Sequence, residues 1–173
     1  MLGGSAALLS APFSPALAAL GEVRSLAFNN LHTGEQLSLE YWAQGRYLPD
    51  ALSAVNHLLR DFRTGDTHAI DPQLLDLLAV IRGKLETTTP FSVISGYRSP
   101  ATNDLTEGAA RNSMHLRGRA ADVHFEGFST RLLAAMAKIF NDDGGTGIYL
   151  DMNMVHVDRG APRAWQGSRP RRG

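Results

Sequence analysis

Apolar residues alternate with polar ones on both sides of a short polar turn near the start of the chain. Leu26 and Phe28 precede His32-Thr33-Gly34-Glu35, and Leu37, Leu39 and Tyr41 follow it. A period of two places such residues on one face of a strand, so the stretch predicts an antiparallel hairpin. After Leu48-Pro49-Asp50 the period changes: Leu52, Val55, Leu58, Leu59 and Phe62 recur at helical spacing until Thr64-Gly65-Asp66 ends the run. A second helix opens with Asp71 as N-cap and Pro72 at its first position, and buries Leu75, Leu78, Ile81 and Leu85. Phe91–Ser95 reads as a short buried strand. Ser99 and Pro100 again look like a helix start, which leaves Arg98 at the exit of that strand.

Further on, residues 119–125 read as a strand, and Ser129 caps a helix through Leu132, Leu133, Met136 and Ile139. Asp142-Asp143-Gly144-Gly145 forces a turn. Ile148–Leu150 and Met154–Asp158 are two more strands, and a Pro/Arg/Gly stretch closes the chain. There is no internal repeat and no domain linker. A hairpin, two helices and then strands interleaved with helices predict an α+β domain built on an antiparallel sheet with flanking helices.

Composition narrows the function classes. With 173 residues and 43% hydrophobic content the chain can bury a core, and 17 basic against 17 acidic residues give no net field to draw it to nucleic acid or an anionic membrane. No nucleic-acid partner is expected. The absence of cysteine removes disulfides and thiolate metal sites, leaving His, Asp and Glu as ligands. Residues 1–20 carry no charge and combine an apolar run with Pro15 and Ala16-Leu17-Ala18, a small-residue pattern of the signal-peptidase kind. They read as the back half of an export signal without its basic front, with a merely apolar N-terminal segment as the alternative. Gly, Ser and Pro break them too often for a stable membrane span.

The candidate chemistry lies in SMHLRGRAADVHF, residues 113–125, and in MVHVD, residues 154–158. His115 in a loop, Asp122 in the following strand and His156 in a late strand offer zinc-compatible donors. Two imidazoles and a carboxylate leave a fourth tetrahedral position open, as catalytic rather than structural zinc sites do. Taken singly, each residue is more often a packing or hydrogen-bonding group than a ligand, and the spacing alone does not change that. Among the other histidines, His32 falls in a turn, His57 on a helix and His68 in a polar loop. Period-two alternation puts His124 on the face of Asp122, as a substrate residue, a residue behind the ligands or a packing histidine.

Four segments together, SGYRSPATN (95–103), SMHLRGRAADV (113–123), GGTGIYLD (144–151) and MVHVDRGAPRAW (154–165), resemble the zinc peptidases of the D-alanyl-D-alanine carboxypeptidase and hedgehog-like fold. Within them the chain looks closest to the murein endopeptidase K group. The resemblance runs from the NLHTGE hairpin (30–35) to Trp165. It implies that His115, Asp122 and His156 bind one zinc ion, and that the chain is a metalloprotease hydrolysing peptide cross-links of bacterial peptidoglycan. Residues 21–166 would form the peptidase domain, after the export-like segment 1–20 and before a basic tail, 167–173. The expected location is the periplasm or cell envelope, and a monomer is expected there. Export in this group often uses a twin-arginine signal, and the twin arginines are absent here.

Amide hydrolysis also needs a proton acceptor and a positive group for the developing oxyanion. Arg98, in the loop that faces the zinc in similar enzymes, is the candidate for the positive group and for substrate binding, with a surface ion pair as the alternative. Many relatives carry an acidic residue or a histidine two or three positions before the last ligand, where this chain has Met154 and Asn153. That departure leaves Asp158 and Asp151 as candidate bases, Asp158 preferred because it follows His156 by two on the same strand face, with Glu126 behind both. Tyr97 and Ser113 are further candidates for substrate contact, and Gly118 for a positive-φ turn. A D-Ala-D-Ala-type carboxypeptidase and a non-catalytic zinc-containing domain that binds cell-wall peptide are the competing readings.

Overall fold

The computed structural model describes residues 21–168; the export-signal expectation for residues 1–20 lies outside them, as do residues 169–173 of the tail. The hairpin forms as expected, β1 (Arg24–Asn30) against β2 (Gln36–Ala43), and a two-residue β3 (Arg46–Tyr47) folds back on β2. Helix α1 (Pro49–Leu58) and helix α2 (Pro72–Lys84) follow. Asp71 caps α2 through its carboxylate, which accepts from the Gln73 N–H at 3.0 Å. Helix α1 stops short of Phe62, because the Leu59 carbonyl accepts the Tyr97 N–H at 2.8 Å and Asp61 begins a turn closed by the Gly65 N–H.

Strand β4 (Phe91–Ser95) leads into the short helix α3 (Pro100–Leu105), capped by Ser99. A 3₁₀ turn, Met114–Arg117, precedes β5 (Ala120–Phe125). Helix α4 (Thr130–Phe140) is capped by Ser129, and β6 (Gly145–Tyr149), a second 3₁₀ turn at Leu150–Met152, β7 (Met154–Asp158) and β8 (Arg163–Gln166) complete the chain. Among the described residues no helix is long and apolar enough to cross a membrane.

The eight strands form one sheet in the order β3-β2-β1-β4-β5-β7-β6-β8. The α+β class holds, but the sheet is mixed rather than antiparallel, since β1 pairs parallel with β4 and β6 parallel with β8. Residues 31–90, with β2, β3, α1 and α2, intervene between β1 and β4. A connection of that length can return the chain in the same direction. The loop after β7 brings Arg163 beside Gly145, so β8 runs alongside β6.

One face of the sheet is the core. Ala121, Val123 and Phe125 of β5 and Val155 and Val157 of β7 join Leu133, Ala134 and Ala137 of α4 in a single buried cluster with β1, β4 and α2. Alternation then turns Asp122 and His156 to the opposite face. At the far end of the sheet, Asp76 of α2 is buried and bound by Arg24 (2.8 Å), Tyr41 (3.0 Å) and Tyr47 (2.6 Å). This network ties β1–β3 to the helical layer.

Candidate metal centre

His115, Asp122 and His156 meet on the face of the sheet away from α4. Asp122 and His156 are cross-strand neighbours on β5 and β7. His115 is brought over them by the 3₁₀ turn 114–117. Ser113 caps that turn, its hydroxyl accepting the His115 N–H at 3.3 Å, and Gly118 ends it at φ +62°. A Cβ at Gly118 would lie 2.1 Å from the Ala69 carbonyl oxygen, so both the conformation and the space there require glycine.

Each imidazole has a second partner on its outer nitrogen, and for His115 that partner fixes which nitrogen carries the proton. His115 Nδ1 lies 2.6 Å from the Gly96 carbonyl oxygen, which only accepts, so Nδ1 is protonated and the lone pair is on Nε2. The Gly96 carbonyl is itself held in place by close packing, since a Cβ there would fall 2.4 Å from the Leu59 carbonyl oxygen. His156 Nε2 lies 2.8 Å from the Asp158 carboxylate, and its Nδ1 points inward. His115 Nε2, His156 Nδ1 and the Asp122 carboxylate therefore converge, with separations of 3.2 Å between the nitrogens and 3.3 and 2.8 Å from each to the carboxylate. All three residues are buried.

Three buried lone-pair donors aimed at one another repel unless a cation or proton lies between them. One ligand atom from each residue lies within 4.8 Å of the other two, near enough for the three to share one ion. The donor set thus fits a divalent metal ion such as zinc, and it is the group of this kind among the described residues. The same crowding displaces the pKa values of all three. Burial lowers His115. Burial also disfavours charge on His156, but the carboxylates of Asp122 and Asp158 on either side outweigh it and raise the imidazole to about 9. For Asp122 the penalty of burial is overcome by His115 and His156, which hold it well below the usual carboxylate range.

Asp158 is fully buried and saturated. Its Oδ2 accepts from His156 Nε2 and from Arg163 at 2.6 Å, and its Oδ1 accepts from the Gly160 N–H at 2.7 Å and more weakly from the Gly145 N–H and Arg163 at 3.2 Å. These donors outweigh the cost of burial and lower its pKa to about 2. It shares a strand face with His156, as its spacing indicates, yet it bonds the imidazole nitrogen directed away from the other two donors. Arg98 forms an ion pair with Asp122 Oδ2, donates from Nε to Ser95 Oγ at 2.9 Å, and its N–H bonds the His115 carbonyl.

The centre opens into a groove of about 740 Å³. Because His32 follows β1 and Trp165 lies in β8, the groove crosses the sheet from one side of the centre to the other. His32, Phe62 and Arg63 line one end; Tyr149, Trp165 and Ser168 line the opposite one. Arg98, Ser113 and the three donors form the middle. Glu107, on the loop after α3, is the groove's carboxylate besides Asp122.

Other sequence candidates stand outside the groove lining. Tyr97 stacks on His68 at 4.7 Å, Asp151 is exposed in the turn after β6, and Glu126 is exposed in the turn after β5. His124 meets Asn153, whose side chain also accepts from Thr130, so the histidine on the Asp122 face belongs to a separate polar cluster. Glu107, Arg63, Arg163 and Trp165 were not singled out from the sequence. The one local hint was aromatic and basic residues in otherwise polar loops.

The family model described as peptidoglycan L,D-endopeptidase MepK matches residues 18–165. Peptidoglycan L,D-endopeptidase MepK of Escherichia coli (strain K12) is 38% identical over 170 residues, covering 95% of this chain and 93% of that protein, and the Shigella flexneri protein of the same name matches equally. A relative from Haemophilus influenzae is 36% identical over 149 residues, covering 83% of this chain and 80% of its own length. No solved structure gives a significant match. With its motifs, its donor cluster and this coverage, the chain belongs to the MepK family of peptidoglycan L,D-endopeptidases.

Proposed function

We propose that this protein is a zinc-dependent peptidoglycan endopeptidase that cuts peptide cross-links in the cell envelope, with His115, Asp122 and His156 as the zinc ligands. One observation carries the reading. Two buried imidazoles have their outer nitrogens committed to Gly96 and Asp158, so their inner nitrogens and a carboxylate converge at the floor of a groove. Zinc bound there would polarise the scissile carbonyl and make water a competent nucleophile near neutral pH.

The chain's own residues do the rest. Asp158 positions His156 by holding the proton on Nε2, and Arg163 and two backbone N–H groups hold Asp158. The Gly96 carbonyl does the same for His115. Arg98, fixed by Asp122 and Ser95, presents a guanidinium at the groove where negative charge develops on the carbonyl oxygen. Glu107, which lines the groove with no partner among the described residues, takes the proton from the attacking water and returns it to the leaving amine. Tyr149 and Trp165, joined by a 3.0 Å hydrogen bond, wall the other end. A groove with exposed residues at both ends suits a cut within a cross-link rather than removal of a terminal residue, which favours endopeptidase over carboxypeptidase.

The test is to incubate the zinc-loaded protein with purified cross-linked peptidoglycan and analyse the released muropeptides by mass spectrometry. Cross-linked dimers should disappear with the wild type and persist with His115→Ala, and the product masses name the bond. Persistence of dimers with a protein holding one zinc per chain would replace this reading with a peptide-binding domain.

A further inference from the structure

Three arginines line the groove, and they differ in what they bind. Arg98 is paired with Asp122 and Arg163 with Asp158. Arg63 has no anionic partner among the described residues, although its backbone N–H bonds Asp61. Its guanidinium lies 4.6 Å from the centroid of Phe62. The imidazole of His32 stacks on the same Phe62 ring, 3.7 Å between centroids and 6° from parallel, and so occupies one ring face and leaves the other to Arg63. The turn carrying His32 is fixed by Asn30, whose side chain accepts the His32 N–H and donates to the Leu58 carbonyl. Asp61, buried and bonded to the Ser99 N–H, fixes the turn carrying Phe62 and Arg63. The result is a three-layer platform with an uncompensated positive charge at the end of the groove.

We infer that Arg63, on its Phe62–His32 platform, is the anchor for a free carboxylate of the substrate peptide and sets the enzyme's preference for an anionic stem. The inference rests on the peptidase reading and names a contact within it. Sheet order gives the reach. His32 follows β1, two strands from β5, which is about 10 Å at ~4.8 Å per strand. An extended peptide covers that distance in about three residues at ~3.3 Å each. The anchored carboxylate is therefore about three residues from the bond that is cut. A guanidinium held over a ring is restrained while its N–H fork stays free for bidentate carboxylate binding.

The experiment uses two synthetic peptides that differ only in a carboxylate or carboxamide about three residues from the cleavable amide. Binding of each to the zinc-loaded protein is measured by calorimetry, and cleavage by kcat and KM. The wild type should bind the carboxylate peptide about tenfold or more tightly, and the difference should show in KM rather than kcat. Arg63→Ala should erase that difference without altering affinity for the carboxamide. Arg63→Lys, which keeps the charge but not the fork, should restore part of it. Equal affinities for the two peptides in the wild type, or a preference that survives Arg63→Ala, would overturn the anchor. Binding is read whether or not either peptide is cut, so absence of cleavage would count against the peptidase reading alone.

Discussion

Asp158→Asn probes the centre most sharply, because the substitution changes two protons and almost no volume. Asp158 uses both oxygens as acceptors, Oδ2 from His156 and Arg163 and Oδ1 from Gly160, Gly145 and Arg163. An asparagine must put its NH₂ on one side or the other. On the Oδ1 side the NH₂ faces three donors. On the Oδ2 side it donates to His156 Nε2, which moves the imidazole proton to Nδ1 and removes the lone pair aimed at Asp122. Loss of a carboxylate behind a metal-bound histidine typically lowers metal affinity 10–100-fold, or about 1.4–2.8 kcal/mol. Donors left facing an amide NH₂ cost about 1–3 kcal/mol of folding stability. Zinc affinity is read by competition with a chromophoric chelator, and stability by urea unfolding of the zinc-free protein. The positioning role is refuted if Asp158→Asn binds zinc like the wild type while turnover collapses. That result would put Asp158 on the reacting side of the centre.

Glu107→Gln should lower kcat by about 10²–10⁴ with zinc content unchanged, as expected for a lost proton acceptor; unchanged kcat would remove Glu107 from the chemistry. Asp61 is buried and accepts the Ser99 and Arg63 N–H groups, and although burial opposes its charge, these bonds and Thr102 hold its carboxyl below the usual range. Its folded pKa is lowered, so its contribution is present above the unfolded value of about 3.9 and lost as pH falls below it. Asp61→Asn should cost about 1–3 kcal/mol at pH 7 in urea unfolding, with a gap from wild type that narrows toward pH 3; a gap independent of pH contradicts this. Gly118→Ala should destabilise by at least ~1–2 kcal/mol from the left-handed backbone alone, before the contact with Ala69; a change inside ~0.5 kcal/mol would show that the turn can relax.

Much of the fold was legible because its boundaries are written in local chemistry. Asp71, Ser99 and Ser129 each accept an N–H two or three residues on, and each begins the helix expected from it. The alternation around residues 32–35 produced the hairpin. Strand direction is not local: nothing in Phe91–Ser95 says that it lies beside β1, so the parallel pairings were missed. Arg163–Gln166 lies between Pro162 and Gly167 and is too short for alternation to register, so β8 was missed too. At the site, His115, Asp122 and His156 could be named because one motif holds two of them and another the third. The groove wall could not, since Arg63, Glu107 and Trp165 come from loops and an edge strand that only the finished sheet brings together. For Asp158 the two-residue spacing gave the correct face but not which imidazole nitrogen it would reach.

The pairing of Asp122 with His156 across β5 and β7 also bears on how the chain finds its structure. In a sheet a slip of one residue turns every side chain of the slipped strand to the other face. In β7 such a slip would carry His156 into the hydrocarbon layer under α4 and expose Val155 and Val157. The same register that fills the core completes the donor set, so a misaligned chain loses both at once. Uptake of the proposed metal would thereby act as a checkpoint on strand alignment: only the correctly registered molecule would gain the ion's binding energy.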